Sequence, residues 1–127
     1  MPTLLVIDDE PTIRLLIRLT FEPRGYEVLE AAEGSTGLEL TEAHCPDIVL
    51  LDMALPEMNG LEVARQLPSS TPVLMLTGLA PELDLETAIP SIRGYVEKPF
   101  SPAALAFRVQ EVLESEDMRP SQEAPAA

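Results

Sequence analysis

Cationic residues are scarce in this chain. Eight Lys and Arg stand against 22 Asp and Glu among 127 residues, for a net charge of −14 at pH 7. Such a chain repels a phosphate backbone, which argues against direct nucleic-acid binding. Cys45 is the only cysteine, so no internal disulfide can form, and a lone thiol suits a reducing compartment. No apolar run approaches the ~20 residues that cross a bilayer. Met1-Pro2-Thr3 carries no basic stretch of the kind that opens a signal peptide. The expectation is a soluble cytoplasmic protein without membrane insertion. Lysine is nearly missing too: Lys98 is the only one, and the other basic residues are arginines. An ammonium is a compact point charge where a guanidinium is a planar fork, so its single use marks Lys98 as a candidate for a specific task.

What is present fits one folded domain. The length suits a single core, and 46% of the residues are hydrophobic. Leu4-Leu5-Val6-Ile7, Ile48-Val49-Leu50-Leu51 and Val73-Leu74-Met75-Leu76 are apolar on both faces, the mark of buried parallel strands. Tyr26 to Ala31 carries Glu27 and Glu30 and suits a sheet edge. Gly94 to Glu97 is a short fifth strand.

Helical patterns lie between these runs. Ile13, Leu16, Ile17 and Thr20 recur at helical spacing, with Asp9 as the expected cap and Pro11 in the first turn. Ser35 to His44, weakened by Gly37, and Gly60 to Leu67 follow. Ser101-Pro102 opens the last helix, which presents Leu105, Val109, Val112 and Leu113 on one face. A helix between Ala80 and Ile92 is bracketed by Pro81 and Pro90 and should be short. This alternation predicts a (βα)₅ α/β fold, a doubly wound five-stranded parallel sheet in the flavodoxin-like order 2-1-3-4-5. From Glu116 apolar periodicity stops, so residues 1–115 are read as the domain and 116–127 as a disordered tail or linker.

The polar residues at the strand ends carry the chemistry. Asp8 and Asp9 follow the first strand, Asp52 ends the third, Thr77 ends the fourth and Lys98 follows the fifth. A doubly wound sheet gathers all of them at its carboxyl edge, where such folds bind ligands. Singly, each has an ordinary explanation: an acidic pair after a strand is also a helix cap, and a lone Thr is usually structural. Together they describe a site. Crowded carboxylates need a cation, and hard oxygen donors suit Mg²⁺. A carboxylate can attack phosphorus and form an aspartyl phosphate. An ammonium neutralises phosphoryl charge and a threonine hydroxyl donates to a phosphoryl oxygen. His44 closes the second helix and is read as a helix-end residue.

Four stretches resemble the receiver domain of two-component response regulators: Leu5-Val6-Ile7-Asp8-Asp9-Glu10-Pro11, then Leu51 to Gly60, then Leu76-Thr77-Gly78, then Gly94 to Phe100 with its Lys98-Pro99-Phe100. They occur in family order and cover about residues 3 to 115. The resemblance implies that Asp52 is the phosphoacceptor. It implies that Asp8, Asp9, Asp52 and the Ala54 carbonyl hold Mg²⁺, and that Lys98 contacts the phosphoryl group. It also implies that Thr77 and Tyr95 form a switch, and that Lys98-Pro99 is cis. The implied donor is a sensor histidine kinase or a phosphotransfer protein, and the implied output is a switched contact with a downstream protein. Catalysis would be limited to the domain's own phosphorylation and slow dephosphorylation.

Two features depart from the family pattern. The fourth helix is short and bracketed by prolines. Ala54 and Leu79, two residues after Asp52 and Thr77, are apolar and cannot orient an attacking water. Two other functional classes fit less well. A haloacid-dehalogenase-type phosphotransferase needs a second Asp where Ala54 stands. A flavin carrier needs a phosphate-binding loop where Asp8-Asp9-Glu10 would repel the phosphate.

Overall fold

The computed structural model describes residues 1–78 and 88–118. Five strands, β1 (Thr3–Ile7), β2 (Glu27–Ala31), β3 (Ile48–Asp52), β4 (Val73–Thr77) and β5 (Ile92–Glu97), form one sheet in the order β2-β1-β3-β4-β5. Every neighbouring pair is parallel. Helices α1 (Pro11–Phe21), α2 (Gly34–His44) and α3 (Gly60–Gln66) connect the first four strands, and α4 (Pro102–Met118) follows β5. The order is the one the apolar runs predict, with the polar β2 at an edge.

Alternation along the strands divides the core in two. Leu5, Ile7, Val49, Leu51, Val73 and Met75 pack with Val63 and Ala64 of α3. Leu4, Val6, Ile48, Leu50, Leu74 and Leu76 pack on the other face with Ile17 and Phe21 of α1 and with Leu105, Val109 and Val112 of α4. Each central strand is thus buried on both faces, which is why its sequence does not alternate apolar with polar.

Local signals end the helices. Gly25, at φ +90°, follows the short 3₁₀ turn Glu22–Arg24 that closes α1. Asn59 caps α3 by accepting from the Glu62 N–H at 3.0 Å, and Ser101 accepts from the Ala104 N–H at 3.0 Å. Gly37 lowers helix propensity in α2 by about 1 kcal/mol relative to Ala, but a Cβ there would stand 2.3 Å from Ile7 Cδ1. The glycine lets α2 lie close on β1.

Three sequence expectations need correction or qualification. Asp9 does not cap α1: Glu10 is the N-cap residue, without a side-chain capping bond, while Asp8 Oδ1 accepts the Glu10 N–H at 2.9 Å. α4 runs on through Met118, three residues past the end expected for the domain. Glu116 is held there by Arg93 of β5, with Nε to Oε2 at 2.9 Å, an anchor 23 residues away in sequence. The remainder of the expected tail, 119–127, lies outside the described residues, as does most of the proline-bracketed fourth helix, residues 79–87. Ala88 is helical, and β5 begins at Ile92, two residues earlier than expected.

Candidate functional site

Strand register brings the acidic residues together. Ile7 pairs with Leu51, so one step further along the two chains Asp8 comes beside Asp52. Asp52 pairs with Leu76, and Thr77 with Glu97, which sets Thr77 and Lys98 at the same carboxyl edge. The Lys98 N–H donates to the Thr77 carbonyl at 2.7 Å, extending the β4–β5 ladder into the site.

One carboxylate oxygen from each of Asp8, Asp9 and Asp52 lies within 4.8 Å of the others. Asp8 and Asp52 are buried and Asp9 is exposed. Lys98 Nζ stands 3.0 Å from Asp8 Oδ2, 3.5 Å from Asp52 Oδ1 and 4.0 Å from Glu10 Oε1. The Ala54 N–H donates to Asp52 Oδ1 at 3.1 Å. The Lys98-Pro99 peptide is cis. Three carboxylates with one ammonium leave excess negative charge in a partly buried cleft, and all the acidic donors are hard oxygens. That donor set fits a small divalent cation such as Mg²⁺.

Burial pushes the Asp52 carboxyl above its ordinary range. The Ala54 N–H opposes this, the charge of Asp8 adds to it and Lys98 opposes it. Burial works against the Lys98 charge, but the hydrogen bond to Asp8 and the charges of Asp8, Asp52 and Glu10 outweigh it, so its pKa is raised. The lysine therefore stays cationic. Added positive charge in the cleft would favour the ionised, nucleophilic form of Asp52.

The sequence also singles out Thr77, Tyr95, Ala54, Leu79 and His44. Thr77 is buried at the end of β4. Tyr95 lies on β5 in register with Met75 and is 40% exposed. Ala54 sits in the exposed loop after β3. Leu79 lies outside the described residues. His44 ends α2 on the surface, as expected, and Cys45 after it adopts a left-handed φ of 46°.

Sequence reasoning missed the roles of Arg14 and Gly60. Arg14 Nη1 donates to the Asp8 carbonyl at 2.7 Å, and its Nε donates to Glu30 Oε1 at 3.1 Å. Helical spacing placed Arg14 on the polar side of α1, but no local pattern names a partner 16 residues away. Gly60 opens α3 against the backbone of Asp52, and its N–H donates to the Met53 carbonyl at 2.9 Å.

Comparison with known proteins points the same way. Residues 4–110 match the family model described as the response regulator receiver domain. The chain is 38% identical over 125 residues to the alkaline phosphatase synthesis transcriptional regulatory protein PhoP of Bacillus subtilis (strain 168), covering 94% of this chain and 52% of that protein. It is 34% identical over 122 residues to the DNA-binding response regulator MtrA of Mycolicibacterium smegmatis, covering 94% and 54%. The chain spans about half the length of the curated relatives it matches. Among solved structures, the CheY-like receiver domain protein of Methanospirillum hungatei JF-1 superposes with a TM-score of 0.84 at 28% identity, covering 92% of this chain and 97% of that one. The chemotaxis response regulator CheY4 of Vibrio cholerae superposes at 0.80 with 33% identity, covering 88% and 98%.

Proposed function

Because this chain belongs to the response regulator receiver domain family, whose standard chemistry is phosphorylation on an aspartate, we propose that Asp52 is the residue phosphorylated. The observation that carries this is the gathering of Asp8, Asp9 and Asp52 within 4.8 Å around an edge that also holds Lys98 at 3.5 Å from Asp52. Asp8 is buried beside Asp52, and the repulsion between these two carboxylates costs stability unless a cation offsets it.

An Asp52 oxygen attacks the donor phosphorus, and the new O–P bond forms as the bond from phosphorus to the donor breaks. With a histidine kinase or a phosphotransfer protein, the donor bond is P–N and the imidazole leaves. Lys98 balances charge on the phosphoryl oxygens and Thr77 supplies a hydroxyl to one of them. Asp8, Asp9, Asp52 and the Ala54 carbonyl would hold Mg²⁺, which when bound neutralises part of the phosphoryl charge. Tyr95, now exposed, shifts inward as Thr77 closes on the phosphoryl group, a change of population between two packings. The domain catalyses its own phosphorylation and slow dephosphorylation.

Residues 1–118 form the receiver unit and work in the cytoplasm. None of its described helices is long and apolar enough to cross a membrane. The relatives are named as transcriptional and DNA-binding regulators. At a net charge of −14, this domain serves such an output through a contact with a downstream protein or a further domain, not by touching nucleic acid itself.

The test is intact-mass measurement after incubation with Mg²⁺ and acetyl phosphate. One phosphoryl group should add to the native chain and none to Asp52→Asn. Equal uptake by that variant would remove Asp52 from the role.

A further inference from the structure

Asp9 is the acidic residue of the cluster that the core leaves exposed, whereas Asp8 and Asp52 are buried. Its direction is set through the peptide that joins it to Asp8. The Asp8 N–H donates to the Ala31 carbonyl at 3.0 Å, and the Asp8 carbonyl accepts from Arg14 Nη1 at 2.7 Å. That carbonyl and the Asp9 N–H lie in one rigid plane. The bond to Arg14 therefore fixes the plane on which the Asp9 Cα sits.

Arg14 is itself anchored. Its side chain is 17% exposed and pairs with Glu30 at 3.1 Å. The second oxygen of Glu30 accepts from Arg18 Nε at 2.9 Å, and Arg18 Nη2 donates to the Val28 carbonyl at 3.2 Å. The Glu30–Arg14 pair alone thus forms a bracket from the edge strand β2 through α1 to the loop that carries Asp9.

We propose that Arg14, oriented by Glu30, is a positioning residue that aims Asp9 at the cation of the phosphorylation site. The inference rests on the Mg²⁺ site proposed above. A guanidinium reaches Glu30 and the Asp8 carbonyl together through one planar fork, and a lysine ammonium has no such geometry. A purely electrostatic role would act in the opposite sense. A cation beside a divalent-ion site weakens binding, so removing its charge would tighten it. Loss of aim weakens binding whether or not the charge is kept.

The experiment is a Mg²⁺ titration without phosphodonor, followed by the amide resonances of Asp9 and Met53, on the native chain and on Arg14→Lys, Arg14→Met and Arg18→Met. Arg14→Lys should weaken Mg²⁺ binding about tenfold, the lower end of what outer partners of metal ligands cost. Its Asp9 amide should shift already in the cation-free protein. Arg14→Met should also bind more weakly despite losing a positive charge. Arg18→Met breaks the neighbouring ion pairs without touching the Asp8 carbonyl and should bind as the native chain does. With acetyl phosphate, the Mg²⁺ concentration for half-maximal phosphorylation of Arg14→Lys should rise more than its maximal rate falls. Native affinity in both Arg14 variants, tighter binding in Arg14→Met, or equal weakening in Arg18→Met would each overturn the proposal. If the native chain itself binds no Mg²⁺, the metal site fails and the bracket with it. Binding by the native chain with unaltered variants would overturn the bracket alone.

Discussion

Replacing Gly60 with alanine should slow phosphorylation more than it unfolds the protein. A Cβ at this position would stand 2.4 Å from the Asp52 carbonyl oxygen and 2.8 Å from Met53 Cα. Both are backbone atoms and cannot rotate away. Ordinary contact begins near 3.4 Å, so the start of α3 and the end of β3 must part by about 1 Å. Overpacking of this kind costs about 1–3 kcal/mol, of which the better helix propensity of alanine returns about 1 kcal/mol. The net loss of about 0–2 kcal/mol should lower Tm by at most about 8 °C for a domain of this size. The displaced atoms belong to the residue that carries the nucleophile. A misplacement near 1 Å can cost about a hundredfold in rate, and with α3 absorbing part of the shift the expected loss is about tenfold or more. The assay is the initial rate of mass gain with acetyl phosphate in saturating Mg²⁺, beside a thermal melt. Gly78→Ala is the control, because among the described residues a Cβ there meets nothing within 4 Å. A Gly60→Ala protein that takes up phosphate at the native rate and melts with the native protein would refute the reasoning.

Mg²⁺ should raise Tm, because it binds the folded cluster and not the unfolded chain. At a hundred times its Kd the gain is about 2.7 kcal/mol. Asp9→Ala should lose most of that gain in a calorimetric titration, and an undiminished Mg²⁺ response would exclude Asp9 as a ligand. Burial disfavours the charged Glu30 carboxylate, but its hydrogen bonds to Arg18 and Arg14 and their charges prevail, holding it below the ordinary glutamate value of 4.5. Its stabilisation is therefore present above pH 4.5 and is lost as pH falls through the lower native pKa. Glu30→Gln should melt below the native protein at pH 7, with the gap closing in acid; a gap that widens in acid would contradict this sign. Ala54 and Leu79 offer no polar group to an attacking water. Ala54→Asn with Leu79→Glu should shorten the phosphoryl half-life about tenfold, or about 1.4 kcal/mol of barrier. Decay after donor removal in excess Mg²⁺ is the measurement, and equal or slower decay would show that these side chains do not control the water.

The chain's local pattern determined the architecture and the cast of the site. Runs such as Ile48 to Leu51, apolar on both faces, require cover on both sides, and only a parallel sheet between helices supplies it. The polar residues that end those runs then fall at one edge whatever the details, so Asp8, Asp9, Asp52, Thr77 and Lys98 were legible as a set. The cap of α1 and the end of α4 were not. Asp8 turned inward to serve the Glu10 N–H, and Arg93 held Glu116 in the helix beyond the point where apolar spacing stops. Tertiary structure alone decided which atoms meet. Lys98 reaches Asp8 across 90 residues of sequence, the Arg14–Glu30 pair clasps the Asp8 carbonyl, and Gly60 is needed for close approach to Asp52. Periodicity reports which face of an element is buried. Register and crossover set the distance between two faces, and those depend on pairings far apart in the chain that no local window contains.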